Sequence, residues 1–170
     1  MSLQTRIDAF NLLASRFNNN RFSDLTLEHK INSSLLTRLH LAVFSYVSKC
    51  LQNDQFYMEE GTLLDTVAEA YNEGAIPNLT PNGIFLPKKH LVLEYNYLVS
   101  TFSAIIESLN IGDLISSWHI PLNLRYKDGL VSKSNLLRDH PTEHIHTDSW
   151  AGESSESVTI QIPIFGDIER

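Results

Sequence analysis

The spacing of the apolar residues changes near Gly112, and this change limits the folds that the chain can adopt. Before this glycine, apolar residues recur at intervals of three and four, the period of an amphipathic α-helix. After it they alternate with polar residues, the period of a half-buried strand. The 170 residues, 42% of them hydrophobic, suffice for the core of a single domain. The sequence therefore predicts one α+β domain, with a helical half over residues 1–112 and a β half over residues 113–170.

Four helices are predicted in the first half. The second is apolar over a face too wide for a helix that only lies on the surface, so we expect it to be the central one. In order, the predicted helices run from Leu3 to the asparagines at 18–20, from behind Asn32-Ser33-Ser34 to Leu51, from a loose capping box at Thr62 and Asp65 to Gly74, and from Leu91 to Gly112.

Two segments of the second half alternate like strands. Apolar residues occupy every second position from Trp118 to Tyr126, where Pro121 predicts an edge strand or a bulge, and again from Val158 to Ile164. Between them lies the polar stretch Pro-Thr-Glu-His-Ile-His-Thr-Asp-Ser-Trp, which is predicted to form a strand of its own. The alternating segments are each predicted to be half-buried strands.

Charge and composition exclude several classes of partner. The formal net charge is −7 and the 13 lysines and arginines are scattered, so the basic surface of a nucleic-acid-binding protein is not expected. No apolar run has the length of a signal peptide or a membrane span, which predicts a cytoplasmic protein with no membrane partner. The single cysteine, Cys50, falls in an apolar helical pattern, which predicts a buried structural thiol, a reducing compartment and no disulfide framework.

The polar stretch carries three potential metal ligands, His144, His146 and Asp148, at two-residue spacing. Alternation along a strand puts neighbouring members on one face with Cα atoms about 6.6 Å apart, whereas His144 and Asp148 lie about 13 Å apart, too far to bind one ion. Only two adjacent members can therefore share a metal. The pair His146 and Asp148, which we favour, supplies two ligands of a 2-His-1-carboxylate iron site.

The alternative pair, His144 and His146, is a His-x-His site like that of the cupins. In that family a glutamate follows shortly afterwards, and here the first glutamate after His146 is Glu153, later than the usual cupin spacing. This pair stays open as an alternative hypothesis. In the favoured pair, His144 instead supports the ligands or forms a wall of the pocket.

The run His-Thr-Asp-Ser-Trp-Ala-Gly-Glu at 146–153, followed by Val-Thr-Ile-Gln-Ile-Pro-Ile-Phe-Gly-Asp at 158–167, resembles the Fe(II)- and 2-oxoglutarate-dependent oxygenases, in particular their phytanoyl-hydroxylase-like and streptomycin-biosynthesis branch. The resemblance covers about residues 123–169. It implies a double-stranded β-helix (jelly roll) that holds Fe(II) through His146 and Asp148 and uses 2-oxoglutarate and molecular oxygen. The implied activity is oxidation of a small molecule, with hydroxylation as the expected outcome.

Several nearby residues are candidates for binding the co-substrate or the substrate. Arg125 could pair with a carboxylate of either one, although a plain surface arginine explains it equally well. Trp150 and Glu153 are candidates for lining the substrate pocket, the alternative being a packing tryptophan and a solvated glutamate. For Asn123, Tyr126 and Lys133 as well, a binding role and an ordinary surface or packing role are both open.

The third metal ligand is not evident downstream of the motif. The family takes its distal histidine and its 2-oxoglutarate-binding arginine or lysine from later strands, but the 22 residues after Asp148 contain no histidine. His90, His119 and His140 remain as upstream candidates. A closed barrel also needs about eight strands, more than the pattern supplies.

The predicted architecture is therefore a set of N-terminal helices followed by the strands of an incomplete double-stranded β-helix. Three hypotheses follow from it. The preferred one is a truncated copy of an oxygenase. The second is a non-catalytic partial barrel that forms a homo-oligomer through an exposed sheet edge. The third is a cupin-like metal protein that uses His144 and His146.

Overall fold

The computed structural model describes residues 3–16, 21–23, 26–51, 59–80, 82–119, 122–127 and 157–166. Helices dominate this part of the chain. In order, its elements are α1 (Leu3–Arg16), β1 (Arg21–Ser23), β2 (Thr26–Leu27), α2 (Ser33–Cys50), α3 (Glu60–Asn72), a 3-10 turn (Lys89–Leu91), α4 (Val92–Ser108) and a second 3-10 turn (Gly112–Leu114). None of the helices in these ranges is both long and apolar enough to cross a membrane.

The core is built around α2, as the wide apolar face of this helix predicts. Helix α2 packs along α4, and its residues Ala42 and Tyr46 are fully enclosed. It was predicted to start behind Asn32-Ser33-Ser34 and begins slightly earlier, at Ser33, because the Asn32 side-chain oxygen accepts a hydrogen bond from the Ser34 N–H at 2.8 Å and satisfies a free donor of the first turn. Helices α3 and α4 contribute to the same cluster, with Leu63 and Val67 from α3 and Leu98 and Ile105 from α4.

Helix α3 begins earlier than its predicted capping box. Its N-cap residue is Glu59, which makes no side-chain capping bond, and Thr62 lies inside the helix, where its carbonyl accepts a 2.8 Å hydrogen bond from the Thr66 hydroxyl. The predicted stop at Gly74 is confirmed. Gly74 adopts a φ of +64°, its N–H reaches the Tyr71 carbonyl at 3.1 Å, and the Ala75 N–H reaches the Ala70 carbonyl at 2.8 Å. These two bonds form the glycine-terminated Schellman motif.

Helix α4 ends before the predicted glycine. Asn110 takes a φ of +53°, a left-handed conformation that asparagine tolerates, and α4 therefore stops at Ser108. Gly112 instead opens the short 3-10 turn.

The predicted jelly roll is wrong for the part of the chain that the structure describes. Strand pairing there is limited to the short antiparallel ribbon of β1 and β2 and to two isolated bridges, Leu79 with Phe85 and Ile84 with Arg125. The described residues of the two predicted strands, 118–126 and 158–164, join no sheet beyond the bridge at Arg125. This part of the protein is helical, with extended segments lying against the helices.

The alternation that predicted these strands has a different physical origin. Leu122, Leu124 and Tyr126 are partly buried against the helical core, and the residues between them are exposed. Ile162 and Ile164 pack on the same core while Pro163 between them is exposed. An extended chain alternates its side chains whether or not a second strand lies beside it. The alternating pattern therefore indicates that one face of an extended segment is buried. Here helices bury that face.

Candidate functional site

The predicted metal motif falls outside the described residues. His144, His146 and Asp148 lie in the range 128–156, together with Trp150, Glu153, Lys133 and His140. What the structure shows is how the chain is held on either side of this range. We call residues 122–127 the approach segment and residues 157–166 the return segment.

The approach segment is fixed by three backbone hydrogen bonds. The Leu122 N–H donates to the Tyr95 hydroxyl at 2.8 Å, the Phe85 N–H donates to the Leu124 carbonyl at 2.9 Å, and the Tyr126 N–H donates to the Gly83 carbonyl at 2.8 Å. The partners come from α4 and from the loop before it. Each second residue of the segment is therefore hydrogen-bonded to α4 or to the loop before it.

Gly83 is the point of closest approach between this loop and the approach segment. Its φ is +76°, and a Cβ atom placed on it would overlap the Tyr126 carbonyl oxygen and lie 3.1 Å from the carbonyl carbon. Only glycine combines this conformation with this approach. The sequence placed Gly83 in a loop, and nothing in its neighbours indicated that the loop pairs with residues 124–126.

The return segment is held mainly by side chains. The Phe165 ring lies 4.9 Å, centroid to centroid, from both the His40 and the Phe44 rings of α2. The Gly166 N–H donates to the Glu60 carboxylate of α3 at 2.8 Å. Ile162 and Ile164 pack against the core beside them.

Helix α3 touches both segments. Its residue Tyr71 packs against Tyr126 with ring centroids 5.5 Å apart, and its residue Glu60 accepts the hydrogen bond from Gly166. These two positions are eleven residues apart, which corresponds to about 16 Å along a helix axis. Helix α3 thus contacts the approach segment at Tyr126 and the return segment at Gly166.

Arg125 lies on the exposed face of the approach segment. Alternation puts Asn123 and Lys127 on this face as well, and all three are exposed. In the described ranges Arg125 makes no ion pair, whereas Arg16 pairs with Asp113 at 2.6 Å. The sequence singled out Arg125 but missed Lys127, although the period of two along this segment was the signal that places them together.

Two of the upstream histidines lie in the described part of the chain. His90 and His119 are both exposed there, and no group of three or more His, Cys, Asp or Glu side chains converges in these ranges. His140 lies outside them.

Cys50 is buried, as predicted, and belongs to a polar cluster inside the core. The Asn78 side-chain amide donates to the Cys50 Sγ at 3.1 Å and to the Leu86 carbonyl at 3.0 Å, and the Tyr46 hydroxyl donates to that carbonyl at 3.2 Å. Burial raises the pKa of the Cys50 thiol and of the Tyr46 hydroxyl, and it also raises the pKa of Tyr95. These groups stay protonated at neutral pH, as expected of a structural cluster in the core.

The raised pKa values predict a loss of stability at alkaline pH. The unfolded chain loses these protons near the ordinary values of 9.0 for cysteine and 10.0 for tyrosine, whereas the folded chain keeps them. The contribution of these groups to the free energy of unfolding is therefore fully present below about pH 8. Above that pH it falls, by up to about 1.4 kcal/mol per pH unit for each group. Urea unfolding measured at a series of pH values checks this.

Two tyrosine variants, one a test and one its control, show whether Tyr46 carries the effect. Tyr46→Phe removes an enclosed hydroxyl and should flatten the decline above about pH 10, while Tyr97→Phe removes a hydroxyl from a side chain that is 39% exposed and should leave the slope unchanged. Equal slopes in the two variants would show that Tyr46 does not carry the effect.

Comparison of the chain with known protein families, with curated proteins and with solved structures found no match.

Proposed function

We propose that the chain is a non-haem Fe(II)- and 2-oxoglutarate-dependent oxygenase-like protein that hydroxylates a small molecule in the cytoplasm. The observation that carries this proposal is the His146-Thr-Asp148 pair, set in a run that resembles the metal-binding run of those oxygenases. The chain is hydrogen-bonded to the helical core at Leu122 and at Gly166, on either side of the pair in the sequence.

The donor set fits Fe(II). An imidazole nitrogen and a carboxylate oxygen are the ligand types that non-haem iron sites use, and a small number of protein ligands leaves positions for a 2-oxo acid and for oxygen. When bound, Fe(II) supplies the activation of oxygen for attack on a C–H bond. The protein's share is to hold the metal through His146 and Asp148 and to orient the substrate.

Other residues have roles only within this proposal. Arg125 offers a fork of N–H donors for a carboxylate of the 2-oxo acid or of the substrate. Trp150 and Glu153, just past the pair, would line the substrate pocket. Self-association through a sheet edge stays a prediction, as the described part of the chain holds only the short β1–β2 ribbon.

The proposal is tested by product formation. The full chain is loaded anaerobically with Fe(II), then given 2-oxoglutarate and oxygen, and succinate is measured. We expect succinate at a rate above buffer, since such enzymes turn over the co-substrate slowly without their substrate, and none with Zn(II), which has no redox chemistry. Succinate at the buffer rate from a chain with one bound Fe(II) would contradict the proposal.

A further inference from the structure

We propose that two copies of the chain pair through α4, a helix that is apolar on more than its core-facing side. Only Glu94 and Glu107 carry a charge among its 17 residues. Leu98 and Ile105 are buried in the core, where α4 packs along α2. A helix that is apolar around most of its surface is normally buried on more than one side. The pairing is independent of the proposed oxygenase chemistry and does not use a sheet edge.

The second apolar side of α4 is a stripe of four residues spaced four, three and four apart, Leu93, Tyr97, Ser100 and Ala104, which we call the outer stripe. This spacing is the one by which helices pair, and it places the stripe about 120° around the helix from Leu98. Leu93 is 77% exposed, the most of the large hydrophobic side chains among the described residues, and Tyr97 one turn later is also exposed. Contiguous exposed apolar side chains mark an interaction surface.

An antiparallel arrangement matches large side chains to small ones. When a two-fold axis passes between positions 98 and 99, Leu93 lies opposite the partner's Ala104 and Tyr97 lies opposite the partner's Ser100. Both contacts repeat on the other side of the axis, as a two-fold interface requires. Ser100 can be covered without losing a hydrogen bond, because its hydroxyl already donates to the Tyr97 carbonyl at 2.9 Å.

Opposite charges stand at the two ends of the outer stripe. Lys89 comes four residues before Leu93, and Glu107 comes three residues after Ala104. Both charged side chains are exposed, and neither forms a salt bridge among the described residues. The antiparallel arrangement brings Lys89 to the level of the partner's Glu107 twice, whereas a parallel one would put like charges together. These charges favour an antiparallel second copy over an anionic lipid surface, which Glu107 would repel.

Sedimentation velocity of the metal-free full chain between about 10 and 500 µM tests the pairing. We expect a reversible equilibrium of monomer and dimer, because one pair of helices is smaller than a standard interface. Leu93→Asp puts a charge into the outer stripe and should raise the dissociation constant of the dimer more than about tenfold. Leu12→Asp changes a leucine that is 53% exposed on α1, and this matched control should dimerise like the wild type.

Charge reversal tests the antiparallel orientation. Lys89→Glu and Glu107→Lys should each raise the dissociation constant about fivefold, since an exposed ion pair is weak but occurs twice here. The double variant restores both pairs with reversed polarity and should dimerise like the wild type. Both side chains are exposed, so these variants should fold normally.

Four results would overturn the proposal. A wild-type chain that stays monomeric at the highest concentration does not pair, and a dimer unchanged by Leu93→Asp uses another surface. A double charge variant that dimerises as poorly as the single ones excludes the antiparallel arrangement. A monomeric wild type that co-sediments with phosphatidylserine vesicles, with binding lost in Leu93→Asp, would make a lipid surface the partner of the outer stripe.

Discussion

Gly83→Ala is expected to lower the free energy of unfolding by about 3 kcal/mol, within the range for backbone strain combined with overpacking. The new Cβ would sit on a backbone with a φ of +76° and overlap the Tyr126 carbonyl oxygen. The new Cβ and the Tyr126 carbonyl are both fixed to the main chain, so the loop or the approach segment must move. The 2.8 Å bond from the Tyr126 N–H to the Gly83 carbonyl would be strained or lost.

Two other glycines separate the causes of this effect. Gly74 has a φ of +64° but open space around it. Gly74→Ala should therefore lower the free energy of unfolding by only about 1 kcal/mol, the cost of a side chain on a left-handed backbone. Gly112 has open space and no positive φ, and Gly112→Ala should change stability by less than about 0.5 kcal/mol. Urea unfolding measures all three. If Gly83→Ala is no less stable than Gly74→Ala, the close approach to Tyr126 is wrong.

His146→Ala and Asp148→Ala are each expected to weaken metal binding by more than about a hundredfold. Changing residues that merely support metal ligands costs about 10- to 100-fold, and removing a ligand itself costs more. Equilibrium dialysis with Fe(II) under anaerobic conditions gives the affinities. His29→Ala and Asp65→Ala are matched controls, since they remove an exposed histidine and an exposed aspartate from the described part of the chain.

The same variants decide between the two ligand pairs. Asp148→Ala with unchanged metal affinity would rule out the pair His146 and Asp148. If His144→Ala then abolished binding together with His146→Ala, the cupin-like pair would be the correct one. Loss of metal binding in His146→Ala alone does not discriminate between the two pairs, because both use this residue.

The helices were predictable because their signals are local. The Asn32 cap and the Gly74 stop each act through bonds within a few residues, and α2 shows its central position by a wide apolar face. The start of α3 was missed because the helix continues through Glu60 and Gly61 without a side-chain cap. Asn110, which ends α4, was missed because Gly112 offered a stronger breaker two residues later.

For the residues that the structure describes, the sheet was predicted wrongly, because alternation does not show whether a strand or a helix lies beside the segment. Leu122, Leu124 and Tyr126 do face the core, but the surface they meet is helical. The pairing of Gly83 with Tyr126 joins positions 43 residues apart, and no local pattern encodes it. The same holds for Asn78, whose amide is buried beside Cys50 because of a contact across 28 residues. At the candidate site, the period of two predicted the exposed face that carries Arg125. The hydrogen bonds that hold the backbone of this segment were not predictable from the sequence.

The most direct test of the proposed oxygenase chemistry is the anaerobic visible absorption of the full chain with Fe(II) and 2-oxoglutarate. Chelation of iron by the 2-oxo acid should give a weak charge-transfer band that saturates at one Fe(II) per chain and is absent in Asp148→Ala. A wild-type chain that binds Fe(II) but gives no band on addition of 2-oxoglutarate would contradict the account.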